Sequence, residues 1–352
     1  MTKFFVAAAT ALALSACSGG SNPFVTDSGD TGTDTGTDTG TDTGSAIDSD
    51  RTLPPGTASP TTDEAIFRTE ATSSEETYYG NGYATDISYD ADKDTFTVNN
   101  LAFDGDNEYS RGTAVSSLAG KYAVYEADTH FTDPESSKPI TQFKHRAIYG
   151  VSRNGNSKFA IVRTGAYAGY GFGGFIYQRE NGVTLPSTGQ AIYNGVMAGL
   201  RDFNGVGGLE YTTADIEIAI DFDDFDESTG GRGDAVSGTI YNRKIFDTEG
   251  TDITDTVIAR IEDEHDITLS RYPVATFKVG PNALDDNGEI LGEVSSSYVD
   301  SAGTVQTFES GNYYAIVSGK KAGQIVGIVV METSVDPIAS SVRETGGFIV
   351  YR

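Results

Sequence analysis

The sequence predicts an all-β protein: an irregular, handle-like β region followed by an eight-stranded antiparallel up-and-down β-barrel. A lipoprotein signal and a disordered acidic linker precede both. Three observations predict it. Glycine accounts for 42 of 352 residues, alongside 19 Tyr and 18 Phe, a composition that suits strands and turns better than helices. From about residue 63 onward, short apolar runs alternate with Gly, Asp and Asn turns. The C-terminal half holds eight such runs in order, and closing eight hairpin-linked strands into a barrel removes exposed sheet edges.

Charge and cysteine content narrow the function. The chain has 51 acidic and 24 basic residues, a formal net charge of −27. Phosphates would be repelled, so nucleic acid is not an expected partner. A single Cys excludes an intrachain disulfide and any multi-Cys metal site. His130, His145 and His265 lack metal-ligand spacing, so no metal or cofactor is expected.

Residues 1–16 read as a signal peptide. Lys3 supplies the positive start and Phe4 to Leu14 an apolar stretch too short for a permanent membrane span. Leu14-Ser15-Ala16-Cys17 looks like a bacterial lipobox, in which the Cys17 thiol is the nucleophile that takes the lipid. The alternative is a plain secretory signal with an incidental Cys. Ser18, rather than Asp, follows the cysteine, as in outer-membrane sorting. The expected location is therefore the outer membrane, lipid-anchored at the cell surface.

Residues 17–62 form the linker. Thr31-Gly32-Thr33-Asp34 begins a TGTD repeat. Gly and Asp disfavour helix and strand, and regularly spaced Asp repels its neighbours. A calcium-binding β-roll would need a nine-residue period with an apolar position, and neither is present. About 45 flexible residues reach roughly 35–40 Å.

The handle-like region spans 63–185. Asp86–Tyr89 and Thr95–Val98 flank Asp90-Ala91-Asp92-Lys93-Asp94, read as a hairpin turn. The acidic triplet imitates an EF-hand start, but the sixth position is Thr95 rather than Gly and the twelfth Leu101 rather than Glu. Further strands are expected at Tyr122–Glu126, Ala147–Ser152, Phe159–Arg163 and Phe175–Gln178.

The barrel spans 186–352. Its expected strands are Gln190–Leu200, Asp215–Phe225, Ala235–Phe246, Ile267–Val279, Gly288–Val299, Asn312–Ser318, Gln324–Glu332 and Gly346–Tyr351. Ile216, Ile218, Ile220 and Phe222 share one face, while Asp215, Glu217, Asp221 and Asp223 share the other, the period-2 signature of a half-wet strand. Eight strands enclose an interior that side chains can fill. A membrane-spanning barrel is disfavoured: the lipid anchor would be redundant, charged residues interrupt the strands, and Pro273 lies within one of them.

Specific residues carry a family likeness over about 189–352. Gly189-Gln190-Ala191-Ile192-Tyr193-Asn194-Gly195, then Asp221-Phe222 and Val236-Ser237-Gly238-Thr239-Ile240, then Phe277-Lys278-Val279-Gly280-Pro281-Asn282-Ala283 with Gly288 and Gly292, resemble the barrel motifs of transferrin-binding-protein-B-like and factor-H-binding-protein-like bacterial surface lipoproteins. The resemblance implies a lipid-anchored outer-membrane protein with a handle before a barrel, of a type that binds host transferrin, haem carriers or complement regulators. Tyr193 is expected to plug the interior.

Catalytic patterns are rejected in turn. Gly169-Tyr170-Gly171-Phe172-Gly173-Gly174 matches G-x-G-x-x-G, but a strand rather than a helix is expected after it. Asp221, Asp223, Asp224, Asp226 and Glu227 read as a solvated strand end. Arg232-Gly233-Asp234 reads as a chance triplet in a Gly-rich turn. No nucleophile–base set is visible, so a non-enzyme is expected. The leading expectation is a monomeric surface binding module for a protein or an iron- or haem-related solute. Tyr167, Tyr170 and Phe172 on a Gly-rich loop are the candidate ligand contacts; the alternative is that they pack the seam between handle and barrel. The other readings are a structural or protective lipoprotein, and an envelope hydrolase using carboxylates such as Asp223 and Asp224.

Overall fold

The computed structural model describes residues 54–71, 82, 84, 87–101, 107–127, 131–132, 134–137, 139–140, 145–165, 169–222 and 234–352. Cys17, the TGTD repeat, His130, Tyr167, Asp223, Asp224, Arg232 and Gly233 lie outside them.

The handle is built from short strands: β1 (Ile66–Thr69), β2 (Ile87–Asp90), β3 (Thr95–Val98), β4 (Glu108–Arg111), β5 (Ser117–Leu118), β6 (Tyr122–Ala127), the separate pair β7 (Phe131–Thr132) and β8 (Pro139–Ile140), then β9 (Arg146–Val151), β10 (Ser157–Arg163) and β11 (Gly173–Arg179). They form a sheet in the order β1-β11-β10-β9-β6-β4-β3-β2, with β5 paired to β6. The barrel follows: β12 (Gly189–Phe203), β13 (Val206–Phe222), β14 (Asp234–Phe246), the helix α1 (Thr254–His265), β15 (Ala275–Leu284), β16 (Glu289–Val299), β17 (Val305–Ser318), β18 (Gln324–Thr333) and β19 (Val342–Tyr351). It is antiparallel throughout and closes by pairing β12 with β19, from Asn194↔Tyr351 to Phe203↔Val342.

Side chains fill the barrel. Ile216, Ile218, Ile220 and Phe222 all point inward and are buried, as their alternation predicts. Tyr193 is buried and its hydroxyl donates to the Ala322 carbonyl at 2.7 Å. At mid-height the rings of Phe277 and Tyr313 stack at 3.8 Å. Glycine makes room for them: a Cβ on Gly238 would sit 2.4 Å from the Phe277 ring, and one on Gly292 would sit 2.3 Å from Tyr313.

The end of the barrel beneath α1 is polar. Arg243 donates to Glu309 at 2.5 Å and to Glu344 at 2.7 Å, while Ser296 and Thr212 donate to the same two carboxylates. Arg201 bridges Glu210 and Asp336, and Arg260 of α1 donates to Asp336 at 2.6 Å. Burial acts to raise the Glu309 carboxyl, but Arg243 holds it below the ordinary range. Buried charges survive here because each is paired and hydrogen-bonded. The apolar side of α1 (Val257, Ile258, Ile261) closes this end against Ile245, Tyr272 and Phe308.

Handle and barrel share a core. Ile148, Phe159, Ile161, Phe175 and Tyr177 of the sheet meet Leu200, Tyr211, Ile316, Val326, Ile328 and Ile349 on the outer barrel wall. Charged groups cross the seam as well. Arg68 donates twice to Glu289, Arg163 donates to Glu70 and Thr345, and Arg146 donates to the Tyr211 hydroxyl at 2.7 Å. The Tyr122 hydroxyl donates to Val196 O and accepts from Ile349 N. The opposite face of the sheet curls around a second cluster containing Phe96, Tyr109, Tyr125, Ala160 and Val162.

The sequence expectations need four corrections. Residues 267–274 are not strand; β15 starts at Ala275, after a stretch in which the Pro273 carbonyl accepts from Arg243. The helix α1 was not expected. β1, β4, β5, β7 and β8 were also missed, because runs of two to four residues without a flanking turn signal carry too little pattern to separate strand from loop. Residues 54–62, expected in the linker, lie against the body: Thr69 N donates to Pro55 O at 2.8 Å and Val183 N to Thr62 O at 2.7 Å. They cover the outer edge of β1, where unpaired backbone would otherwise face solvent.

Candidate functional site

The barrel interior is packed, so a surface must supply the site. The far face of the handle sheet does so. Here strand register sets side chains side by side: Phe67, Gln178, Lys158 and Val151 form one row, and Ile176, Ala160 and Tyr149 the next. The β2–β3 hairpin curls over this face. Its turn is tied by the Asp90 carboxylate, which accepts from the backbone of Asp92 and Lys93, and Asp94 adopts a positive φ of 54°. The expected hairpin turn is therefore observed, with cross-strand pairs from Ile87↔Val98 to Asp90↔Thr95.

Hairpin and sheet enclose a groove of about 450 Å³. Tyr89, Phe96 and Tyr149 form its aromatic wall, with ring centroids 5.3 Å (Tyr89–Tyr149) and 5.7 Å (Phe96–Tyr149) apart. Ala160 and Ile176 form the floor, and Lys158 and Gln178 the polar end. Tyr89 is 38% exposed and Val151 49%. The Tyr89 hydroxyl donates to Asp94, whose carboxylate Arg111 and Tyr125 also engage. The Arg111 hydrogen bond holds Asp94 below the ordinary carboxylate range. Lys158 pairs with Glu180 at 2.6 Å. The groove is thus apolar and aromatic with a charge-balanced rim. Such a surface can bind by ring contact and area burial.

Of the residues expected to contact a ligand, Tyr170 and Phe172 do not line this groove. Tyr170 lies at the seam, where its hydroxyl is 2.5 Å from Ser341 Oγ and Arg343 sits 4.3 Å above its ring. Burial pushes the Tyr170 phenol up to about 12. Phe172 is half-buried against the second handle cluster. Tyr170 and Phe172 thus face different surroundings. A strand, β11, follows the Gly-rich segment, which removes the helix a dinucleotide site needs. Sequence reasoning missed Tyr89 and Tyr149. Each sits in a short strand run that was noted, but only the sheet order sets them side by side.

No family model matches the chain, and no curated protein matches it. Among solved structures it is similar to transferrin binding protein B. The double mutant of the Haemophilus parasuis Hp5 vaccine antigen aligns at 16% identity and a TM-score of 0.35, over 75% of this chain and 44% of that one. The isotype 1 protein of serogroup B Neisseria meningitidis aligns at 13% identity and a TM-score of 0.35, over 82% and 43%. Intact Ap-TbpB, with N and C lobes, aligns at 12% identity and a TM-score of 0.30, over 82% and 60%. The chain therefore spans less than two thirds of the length of each. At these identities the likeness concerns fold alone.

Proposed function

We propose that the chain is an outer-membrane lipoprotein, anchored through Cys17, that holds a non-catalytic binding module off the membrane. Its ligand is a protein or an iron- or haem-related solute. The groove under the β2–β3 hairpin supports this reading most directly. Its aromatic wall, exposed at Tyr89, is built into a sheet whose other face is fused to the barrel, so the contact surface is preorganised. The lipobox and the acidic linker supply the anchor and the reach. The long-range field of the −27 chain favours cationic partners and raises their encounter rate.

The test has two arms. Palmitate labelling of the full chain should be abolished by Cys17→Ala, and protease should remove the protein from intact cells. Surface plasmon resonance of the full chain against haem and purified iron-carrier proteins should show saturable binding. Tyr89→Ala should weaken it about tenfold, the scale of one interface aromatic, with an unchanged melting temperature. Failure of labelling removes the anchor. Silence of the folded protein towards the whole panel removes the ligand class.

A further inference from the structure

The outer barrel wall holds a second groove, on a side the handle does not cover. It lies across β15, β16 and β17 and has a volume of about 530 Å³, within the usual range of small-ligand pockets. Two features create it.

The first is a break in the wall. β15 and β16 pair through Phe277↔Val294 and next through Leu284↔Ile290. Between those points residues 278–283 run opposite only residues 291–293. The longer segment must bow away from its neighbour, and the regular ladder lapses. Lys278 spans the opening to Glu293 at 2.9 Å.

The second is the chemistry of the lining. Register aligns Thr276 with Ser295 and Ser295 with Ser310, and the next outward pair is Glu293 with Asn312. Three hydroxyls, one carboxamide and one matched ion pair therefore face outward together. The Asn312 Oδ1 atom is buried and has no hydrogen-bond partner among the described residues. An acceptor in that position costs stability unless a donor comes to it.

We propose that this groove binds a neutral saccharide. The lining offers donors and acceptors in alternation, which matches the vicinal hydroxyls of a sugar ring. A small rotation of the Asn312 carboxamide would bring Oδ1 to a ligand hydroxyl, which would in turn accept from a neighbouring Ser or Thr. An apolar ligand would strand these polar groups. An anion would meet a lysine already neutralised by Glu293, on a chain of net charge −27. The sugar could be a free oligosaccharide or a chain of an envelope polysaccharide; the chemistry is the same.

The test uses the full chain purified in detergent, titrated by calorimetry with maltohexaose and chitohexaose, and in parallel retained on immobilised dextran. Binding in either arm supports the site if Asn312→Ala and Ser295→Ala each weaken it about tenfold, the loss of one hydrogen bond to ligand. The solution arm alone identifies a free solute; the bead arm alone identifies a polymer. Binding should be the same in 0.05 and 0.5 M salt, since no net charge is involved, and Tyr89→Ala should leave it unchanged. Thermal melts show that each variant is folded. Silence of the folded wild type in both arms overturns the proposal. So does binding unaffected by both variants, or retention by dextran sulfate alone.

Discussion

Arg68 of the handle and Glu289 of the barrel form a two-pronged ion pair, with Nε–Oε1 at 2.6 Å and Nη2–Oε2 at 2.5 Å, in which Glu289 is fully buried. The pair lies 221 positions apart in sequence. It sits beside Arg179, which donates to the carbonyls of Asn287 and Val317. The handle is thereby clamped onto one barrel hairpin.

Removing one partner should expose the cost of that clamp. Arg68→Met leaves the Glu289 charge buried and unpaired, and should destabilise the protein by about 3–5 kcal/mol. The double variant Arg68→Met with Glu289→Leu should recover most of the loss. Denaturant unfolding of the three proteins measures it. Equal stability of single and double variants would contradict the account.

Close backbone approach at the seam should tolerate no extra carbon. A Cβ on Gly347 would lie 2.2 Å from the Phe159 ring. Gly347→Ala should cost about 1–3 kcal/mol through overpacking, and Phe159→Leu in the same chain should restore part of it. Thermal melts of the pair decide this.

The turn held by the clamp should carry a pH signature. Burial, with the Glu289 charge nearby, pushes the Asp285 carboxyl up to about 7, although the backbone N–H groups of Asn287 and Glu289 donate to it. The unfolded chain ionises this group near pH ~3.9, so between those values the native state binds the extra proton. Its contribution to stability is greatest below pH ~4 and is lost as pH rises through about 7. Asp285→Asn keeps the acceptor and removes the titration. Its stability relative to wild type should therefore rise between pH 5 and pH 8, by roughly 1–3 kcal/mol. A pH-independent difference would remove Asp285 from the seam's titration.

The helix should be bound to the barrel by its apolar side. Ile261 is fully buried against the barrel end. Ile261→Ala should cost about 2–5 kcal/mol and speed hydrogen exchange in α1 before the barrel strands. Uniform exchange across both would show that α1 is not a separately released element.

Much of the architecture was legible in the chain. Strict alternation over Ile216–Phe222 defines a face without help from neighbours, and seven of the eight barrel strands were placed with shifted ends. The eighth was read too long because Ile267, Leu269 and Tyr272 form an apolar run that serves the α1 cluster rather than the wall. The helix itself carried a signal, with Val257, Ile258 and Ile261 at helical spacing, but α1 is 12 residues long in a chain dominated by strands. The aromatic groove was not legible, since Tyr89 and Tyr149 come from strands separated by three others in the sheet order.

The sequence by itself determined strand content, barrel closure as the means of removing edges, and which residues of Ile216–Phe222 turn inward, because these follow from local periodicity and turn chemistry. Only the tertiary structure decided which strands lie side by side, where the wall opens between β15 and β16, and how Arg68 finds Glu289. Those relationships depend on register and on pairings between distant residues, and burial selects among such pairings only when the whole chain is assembled.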